Sequence, residues 1–306
     1  MRILYVAFCN NPAVETILGG MHDETLSGLP AFYYPFKMLL ARGCTIDLLL
    51  YSSEPKTVVE SAHFRRENLI QIRPRHRGAL GTLELPLHLA HATRQCLRAR
   101  HYDFVYGMTE GSHMAVRTAA HMGIPCAIHE QNAFPGVTNK MLAKEVDHVM
   151  LTVEKALDYL HPDCAYTVTG LPVRGSITHT DRAAARRQLG FDDSMCILSF
   201  GGSLGAGCIN EAMAKVIPWH VQKGLKINHI HGYGGMGKDS FPAAMQAAGI
   251  PLKSDRLRIT EYINDMEICL AAADLVICRS GASTLAELEA VGRGSILIPS
   301  PIVTGN

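Results

Sequence analysis

The stretch "ADLVICRSGASTLAELEAVG", residues 273–292, decides how this chain is read. Its apolar run "ADLVI" is strand-like, the small residues after it form a loop, and a helix follows. Two readings of that helix start stand side by side. Thr284-Leu285-Ala286-Glu287 fits a capping box, with Glu287 in the first turn satisfying orphan backbone donors. A helix N-terminus after a parallel strand is also where anions and sugar hydroxyls bind.

The same grammar repeats along the chain. Strand-like runs are "RILYVAF", "TIDLLLY", "DFVYG", "CAIHE", "HVMLT", "YTVTG", "CILSFGG", "INHIHG", "LRITEYI", "ADLVICRS" and "SILIPS". Between them lie amphipathic stretches such as "FYYPFKMLLARG", "GSHMAVRTAAHMG", "DRAAARRQLG" and "GCINEAMAKVIPWHVQKG". Alternation of this kind predicts parallel sheets covered by helices, an α/β fold. The runs are apolar on both faces, as doubly buried strands are. The pattern restarts after "TVTGLPVRGSI" (167–177), with Gly170, Pro172 and Gly175, so the expected domains are 1–168 and 169–306. Two such doubly wound domains facing a cleft would bind ligands at the carboxyl ends of their strands.

Composition narrows the function classes. At 306 residues there is room for two domains of about 150 residues each. A 47% hydrophobic and 19% charged chain is ordinary for a globular protein with sizeable cores. A net charge of +1 gives no push toward nucleic acid. The nine cysteines form no CxxC pair, which predicts reduced core thiols and no zinc site. Met1-Arg2 leads straight into a strand rather than a signal peptide, and no apolar run approaches the ~18 residues of a membrane span. The expectation is a soluble protein, at most attached to a membrane surface.

The strongest chemical signal is "ILSFGGSLGAGCINEAM", residues 197–213. An apolar strand ends in a glycine-rich loop and a helix follows, so peptide N–H groups and the helix dipole can face a diphosphate. The spacing is neither GxGxxG nor a Walker loop, and a tight packing turn would read the same way. Together with Glu287, about 80 residues on, this loop could hold the diphosphate and ribose of one nucleotide. In the first half, "IHEQNAFPGVTNK" (128–140) sets His129, Glu130, Gln131 and Asn132 at a strand's carboxyl end. Such positions face the cleft, or form a hydrogen-bonded turn. "GGMH" (19–22) is a second glycine turn, with His22 either a loop residue or a polar contact. "HFRRENLIQIRPRHRG" (63–78) is a solvated basic face or a rest for anionic headgroups.

From about Met122 onward the chain resembles the MurG family of N-acetylglucosaminyltransferases. The resemblance lies in "IPCAIHEQNAFPGVTNKMLA", "TGLPVRGSI", "FGGSLGA…IN", "TEYINDM", "ADLVICRSGASTLAELEAVG" and "SILIPSP.VTGN", in family order and spacing. It implies a GT-B fold, two Rossmann-like domains with the nucleotide sugar held mainly by the second. Position by position, it gives Gly201, Gly202, Ser203, Leu204, Gly205 and Ala206 to the diphosphate, Arg174 to the donor and Ile263 to the uracil. It places Arg279, Ser283, Thr284 and Asn210 in the donor site and Glu287 on the ribose. Glu130, Asn132 and Asn139 match acceptor-side residues. Residues 1–120 depart from that family. "LGGMHDETLSGLPAFYYPFKMLLARG" and "DFVYGMTEGSHMAVRTAAHMGIP" instead resemble the N-terminal domain of family-4 retaining glycosyltransferases. The family continues past "VTGN", so the second domain reads as incomplete.

The implied reaction is transfer of N-acetylglucosamine from UDP-N-acetylglucosamine to a lipid-linked MurNAc-pentapeptide, with inversion, in peptidoglycan synthesis. Glu130 and His22 are the candidate bases. No DxD occurs, so neither a metal nor another cofactor is expected. The implied partners are the donor, the lipid-linked acceptor and the inner face of the bacterial cell membrane. Other readings are a retaining transferase with another acceptor, a UDP-N-acetylglucosamine 2-epimerase, and a non-catalytic UDP-sugar-binding remnant.

Overall fold

The computed structural model describes residues 1–8, 12–19, 30–52, 54–60, 64–74, 79–107, 112–202 and 204–300. The chain divides into two compact units, Met1–Pro172 and Val173–Thr304. The division falls a few residues beyond the expected 168/169 boundary, inside the Gly170–Gly175 stretch.

In the first unit, β1 (Arg2–Phe8) is followed by α1 (Pro12–Leu18), α2 (Pro30–Ala41), β2 (Thr45–Tyr51) and β3 (Leu69–Ile72). Then come α3 (Ala79–Ala99), β4 (Phe104–Gly107), α4 (His113–His121), β5 (Cys126–Glu130), α5 (Val137–Leu142), β6 (His148–Leu151) and β7 (Tyr166–Val168). The strands form one parallel sheet in the order β3-β2-β1-β4-β5-β6-β7. Period-two alternation sends Leu4, Val6, Val105, Ile128 and Val149 to one face, where Leu89 and Leu97 of α3 and Val116 and Ala119 of α4 cover them. On the other face Tyr5 meets Phe32 and Phe36 of α2 edge-on, and its hydroxyl donates to the Phe32 carbonyl at 2.7 Å. Two elements were not foreseen. Strand β3 rises out of the basic run 63–78, and α3 runs 21 residues in spite of an internal Pro86.

The second unit runs α6 (Gly175–His179), α7 (Arg182–Leu189), β8 (Met195–Phe200), α8 (Gly207–Gln222), β9 (Ile227–Gly232) and α9 (Ser240–Ala247). It continues through β10 (Leu257–Thr260), α10 (Met266–Ala272), β11 (Leu275–Arg279), α11 (Ala282–Val291) and β12 (Gly294–Ile298). The parallel sheet has the order β10-β9-β8-β11-β12. The order reverses between β8 and β11, which lie side by side with Phe200 opposite Cys278. That is the topological switch point, where successive helices diverge to opposite faces and leave a crevice at the carboxyl ends. Ile197, Ile259 and Ile277 pack with α8 and α9 on one face. Leu198, Phe200, Val276 and Cys278 pack with α6, α7, α10 and α11 on the other. The helices after the two signal loops thus lie on opposite faces, while the loops leave neighbouring strands at one edge.

Beneath that edge runs a buried polar chain. His220 of α8 is 3.1 Å from His229 of β9, and Ser199 Oγ of β8 lies 3.0 Å from His229 Nε2 and 2.8 Å from His231 Nδ1. Burial lowers all three imidazole pKa values, with His229 pushed well down and His231 to about 4. The folded rings therefore bind fewer protons than the unfolded ones, so stability holds above pH 6.5 and is lost as pH falls from 6.5 toward about 4. A thermal midpoint of the second unit that stays flat across that range would contradict this.

Candidate functional site

The switch-point crevice is built first by glycine. The loop 201–206 folds so tightly that a Cβ on Gly201 would sit 2.2 Å from the Ala206 nitrogen. Gly202 and Gly205 have φ of +89° and +87°, a region that side chains avoid. Gly205 N–H donates to the Gly202 carbonyl at 3.0 Å. A second glycine turn, 232–237, lies against the first, and the sequence reading did not anticipate it. A Cβ on Gly205 would be 2.3 Å from the Tyr233 carbonyl oxygen, and Met236 N–H donates to the Leu204 carbonyl at 2.9 Å. The two turns form one backbone platform. Leu204 points its side chain to solvent, 74% exposed, so only its backbone can serve the crevice. Ala206 is the N-cap of the 16-residue α8 and supplies no side-chain cap. The first-turn N–H groups of α8 are the unsatisfied donors that an anion binds. Ser203 lies outside the described residues.

Asn210, on the first turns of α8, is buried and donates to the Tyr233 carbonyl at 2.9 Å. Its amide nitrogen holds the second glycine turn in place. Ile263, beyond β10, is buried against Gly232, and it shares a cluster with Phe200 and Leu288. It therefore sits over the carboxyl ends of the central strands.

The capping-box reading of α11 does not hold. Gly281 is the N-cap, no side chain caps the helix, and its first turn carries no acidic residue. Leu285 N–H already bonds the Gly281 carbonyl at 2.9 Å, so the helix starts earlier than a Thr284 cap requires. Ser283 and Thr284 sit in the first turn, half-buried, and Glu287 falls in the second. Arg279 ends β11, and its guanidinium donates to the carbonyls of Ile298 at 3.3 Å and Pro299 at 2.6 Å. It clamps the chain leaving β12.

Glu287 meets the segment that enters α6. Arg174 Nη2 lies 3.4 Å from Glu287 Oε1, with the two side chains 11% and 14% exposed. Burial pushes the Glu287 carboxyl above its ordinary pKa, and Arg174 pulls it part of the way back. Arg174 Nε is buried with no partner among the described residues. Two residues 113 positions apart, assigned to one donor site by resemblance, thus come together as a cation and an anion.

In the first unit, Glu130, Asn132 and Asn139 also converge. Glu130 ends β5 and is buried. Its Oε1 accepts from Asn132 N–H at 2.8 Å and from the Asn132 amide at 3.4 Å, while Oε2 accepts from the Asn139 amide at 2.7 Å. Both oxygens of the candidate base Glu130 therefore also hold the turn between β5 and α5. His22 lies outside the described residues, and of "GGMH" only Gly19 is described, closing α1 onto the Glu15 carbonyl at 2.8 Å. Around α5, Phe134, Val137, Met141 and Tyr159 are exposed, and Lys140 rests 3.9 Å above the Phe134 ring. The basic run 63–78 gives its described middle to β3, so the exposed apolar patch lies elsewhere. Among the described residues no set of three or more His, Cys, Asp or Glu side chains could hold a metal, and no helix is long and apolar enough to cross a membrane.

Residues 196–306 match the model of the glycosyltransferase family 28 C-terminal domain. The chain is 42% identical over 194 residues to a UDP-N-acetylglucosamine–N-acetylmuramyl-(pentapeptide) pyrophosphoryl-undecaprenol N-acetylglucosamine transferase of Desulforudis audaxviator, covering 62% of this chain and 52% of that protein. A transferase of the same name from Acetivibrio thermocellus is 43% identical over 189 residues, 61% of this chain and 50% of that one. The chain spans about half the length of these curated relatives. Its fold is similar to that of Acinetobacter baumannii MurG, with a TM-score of 0.63 at 23% identity over 99% of this chain and 80% of that one. Sucrose-phosphate synthase from Thermosynechococcus elongatus matches with a TM-score of 0.60 at 15% identity over 99% and 82% of the two chains. The two parallel-sheet units are of the GT-B kind.

Proposed function

We propose that this chain, whose residues 196–306 are of the glycosyltransferase family 28 C-terminal kind, transfers N-acetylglucosamine from UDP-N-acetylglucosamine to a lipid-linked MurNAc-pentapeptide. The observation that carries the reading is that the glycine platform and α11, which bears Glu287 and its partner Arg174, follow the carboxyl ends of the neighbouring strands β8 and β11. In this reading the diphosphate lies on the peptide N–H groups of Leu204 and Ala206 and the start of α8, and Ser203 adds its hydroxyl. Glu287 accepts from the ribose hydroxyls, the chain at Ile263 borders the uracil, and Arg174 supplies positive charge.

The acceptor hydroxyl oxygen attacks the anomeric carbon as the bond to the UDP oxygen breaks, inverting that centre. The charge that builds on the leaving diphosphate falls on prepositioned N–H dipoles, the arrangement that stabilises such a transition state most. The hydroxyl proton passes to a base, a role for which Glu130 and His22 are the candidates. Glu130 also holds Asn132 and Asn139, the residues matched to the acceptor side.

The partner and location follow the same reading. The exposed side chains of Phe134, Val137, Met141 and Tyr159, with Lys140 and Lys144 beside them, suit contact with an anionic lipid surface. That supports a site on the inner face of the bacterial membrane, where the lipid-linked acceptor lies. Solved 2-epimerases share the fold at 11% identity, which speaks to architecture alone.

Incubation of the chain with UDP-N-acetylglucosamine and a lipid-linked MurNAc-pentapeptide analogue separates the readings. Transfer with inverted anomeric configuration is the expected result. Retained configuration would place the chain with the family-4 enzymes, and free sugar released without acceptor would make it an epimerase. UDP binding with no turnover would mark a non-catalytic remnant.

A further inference from the structure

The contact between Arg174 and Glu287 is a half-made ion pair. One guanidinium nitrogen reaches one carboxylate oxygen at 3.4 Å, where a bidentate pair would show two bonds below about 3 Å. Arg174 Nε is buried and unpartnered, and Arg174 is the carboxylate's one partner among the described residues. Both side chains lie nearly out of water, so each charge needs the other. The elements packed against α11 are α6 and α10. They bring two charged groups to face the carboxylate, Arg174 before α6 and Glu267 on α10.

We infer that Arg174 is a positioning residue for Glu287, holding its carboxylate charged and aimed into the crevice so that it can accept from the two hydroxyls of a ribose. The inference rests on the proposed nucleotide site and adds that Arg174 acts on the nucleoside half of the ligand through Glu287. The ligand class it governs is any ribonucleoside with a free 2′,3′-diol, whether or not a diphosphate follows. The geometry explains why the pair is loose. A tight bidentate pair would occupy both carboxylate oxygens, whereas one long contact leaves Oε2 for the sugar.

The test uses the whole chain with two probes, UDP and uridine, titrated by NMR between pH 6 and pH 9. With Arg174→Gln, uridine and UDP are both expected to weaken, uridine by about tenfold at pH 7 and UDP by at least as much. Without the guanidinium, burial and Glu267 push the carboxyl further up, so more of it is protonated at a given pH and the loss should shrink as pH rises. Glu287→Gln should weaken both probes with no recovery at high pH, and Arg174→Lys should restore part of the affinity. The lysine variant also serves if the glutamine variant fails to fold. UDP weakened with uridine unchanged would overturn the inference, because Arg174 would then touch only the phosphates. So would a loss independent of pH. If the unmodified chain binds neither probe, the nucleotide site itself falls and the inference with it, a result distinct from those two.

Discussion

Replacing Glu287 by alanine is expected to weaken UDP binding by about 1–3 kcal/mol, the range for hydrogen bonds to a charged group, or roughly ten- to a hundredfold. The carboxylate sits on the second turn of α11, nearly buried, and α11 follows the strand next to the one from which the glycine platform rises. Removing it also strands the Arg174 charge in a site 11% exposed, so the second unit should lose stability as well. Glu287→Gln separates the two effects, since it keeps the shape and a hydrogen-bond acceptor while deleting the charge. Calorimetric titration of both variants reads the affinity, and their thermal midpoints read the stability. Unchanged affinity in a folded Glu287→Ala chain would remove the ribose role.

The second large effect is expected at Gly205. Its φ of +87° penalises any side chain, and a Cβ there would meet the Tyr233 carbonyl oxygen at 2.3 Å. Because the obstacle is backbone, no rotamer change relieves it. Gly205→Ala should therefore cost about 1–2 kcal/mol for the conformation and a further 1–3 kcal/mol for the overlap. The relief available is separation of loop 201–206 from turn 232–237, which would also abolish UDP binding. Gly190→Ala is the control. It has a comparable φ of +73° with nothing within 4 Å of the new Cβ, so only the conformational cost should appear. Equal losses of stability in the two variants would show that the platform contact contributes nothing.

Much of the architecture could be read from residues alone because parallel strands buried on both faces are continuous apolar runs. "RILYVAF", "TIDLLLY", "CAIHE" and "INHIHG" match β1, β2, β5 and β9 residue for residue. What was missed had mixed signals. Helix α3 carries Gly81 and Pro86, which break a periodic pattern on paper. Strand β3 is four residues long inside an arginine-rich run, where charge hides the apolar alternation.

At the site, local motifs were misleading where tertiary contacts decided. Thr284-x-x-Glu287 has capping-box spacing, yet Gly281 starts the helix three residues earlier. At Glu130 the sequence allowed a hydrogen-bonded turn, but its donors include an amide nine residues away, a distance that no short motif encodes. The turn 232–237 had a visible sign in "GYGG", though its purpose depends on a loop some 30 positions earlier in the chain. The Arg174–Glu287 contact spans 113 positions, and the family resemblance named both residues without saying that they touch.

A crystal structure of the chain soaked with UDP tests the central claim most directly. The account predicts one nucleotide at the switch point, its phosphates within hydrogen-bond reach of the Leu204 and Ala206 N–H groups and its ribose on the Glu287 carboxylate. Density for UDP elsewhere on the chain, or at that edge with Glu287 still bound only to Arg174, would contradict it.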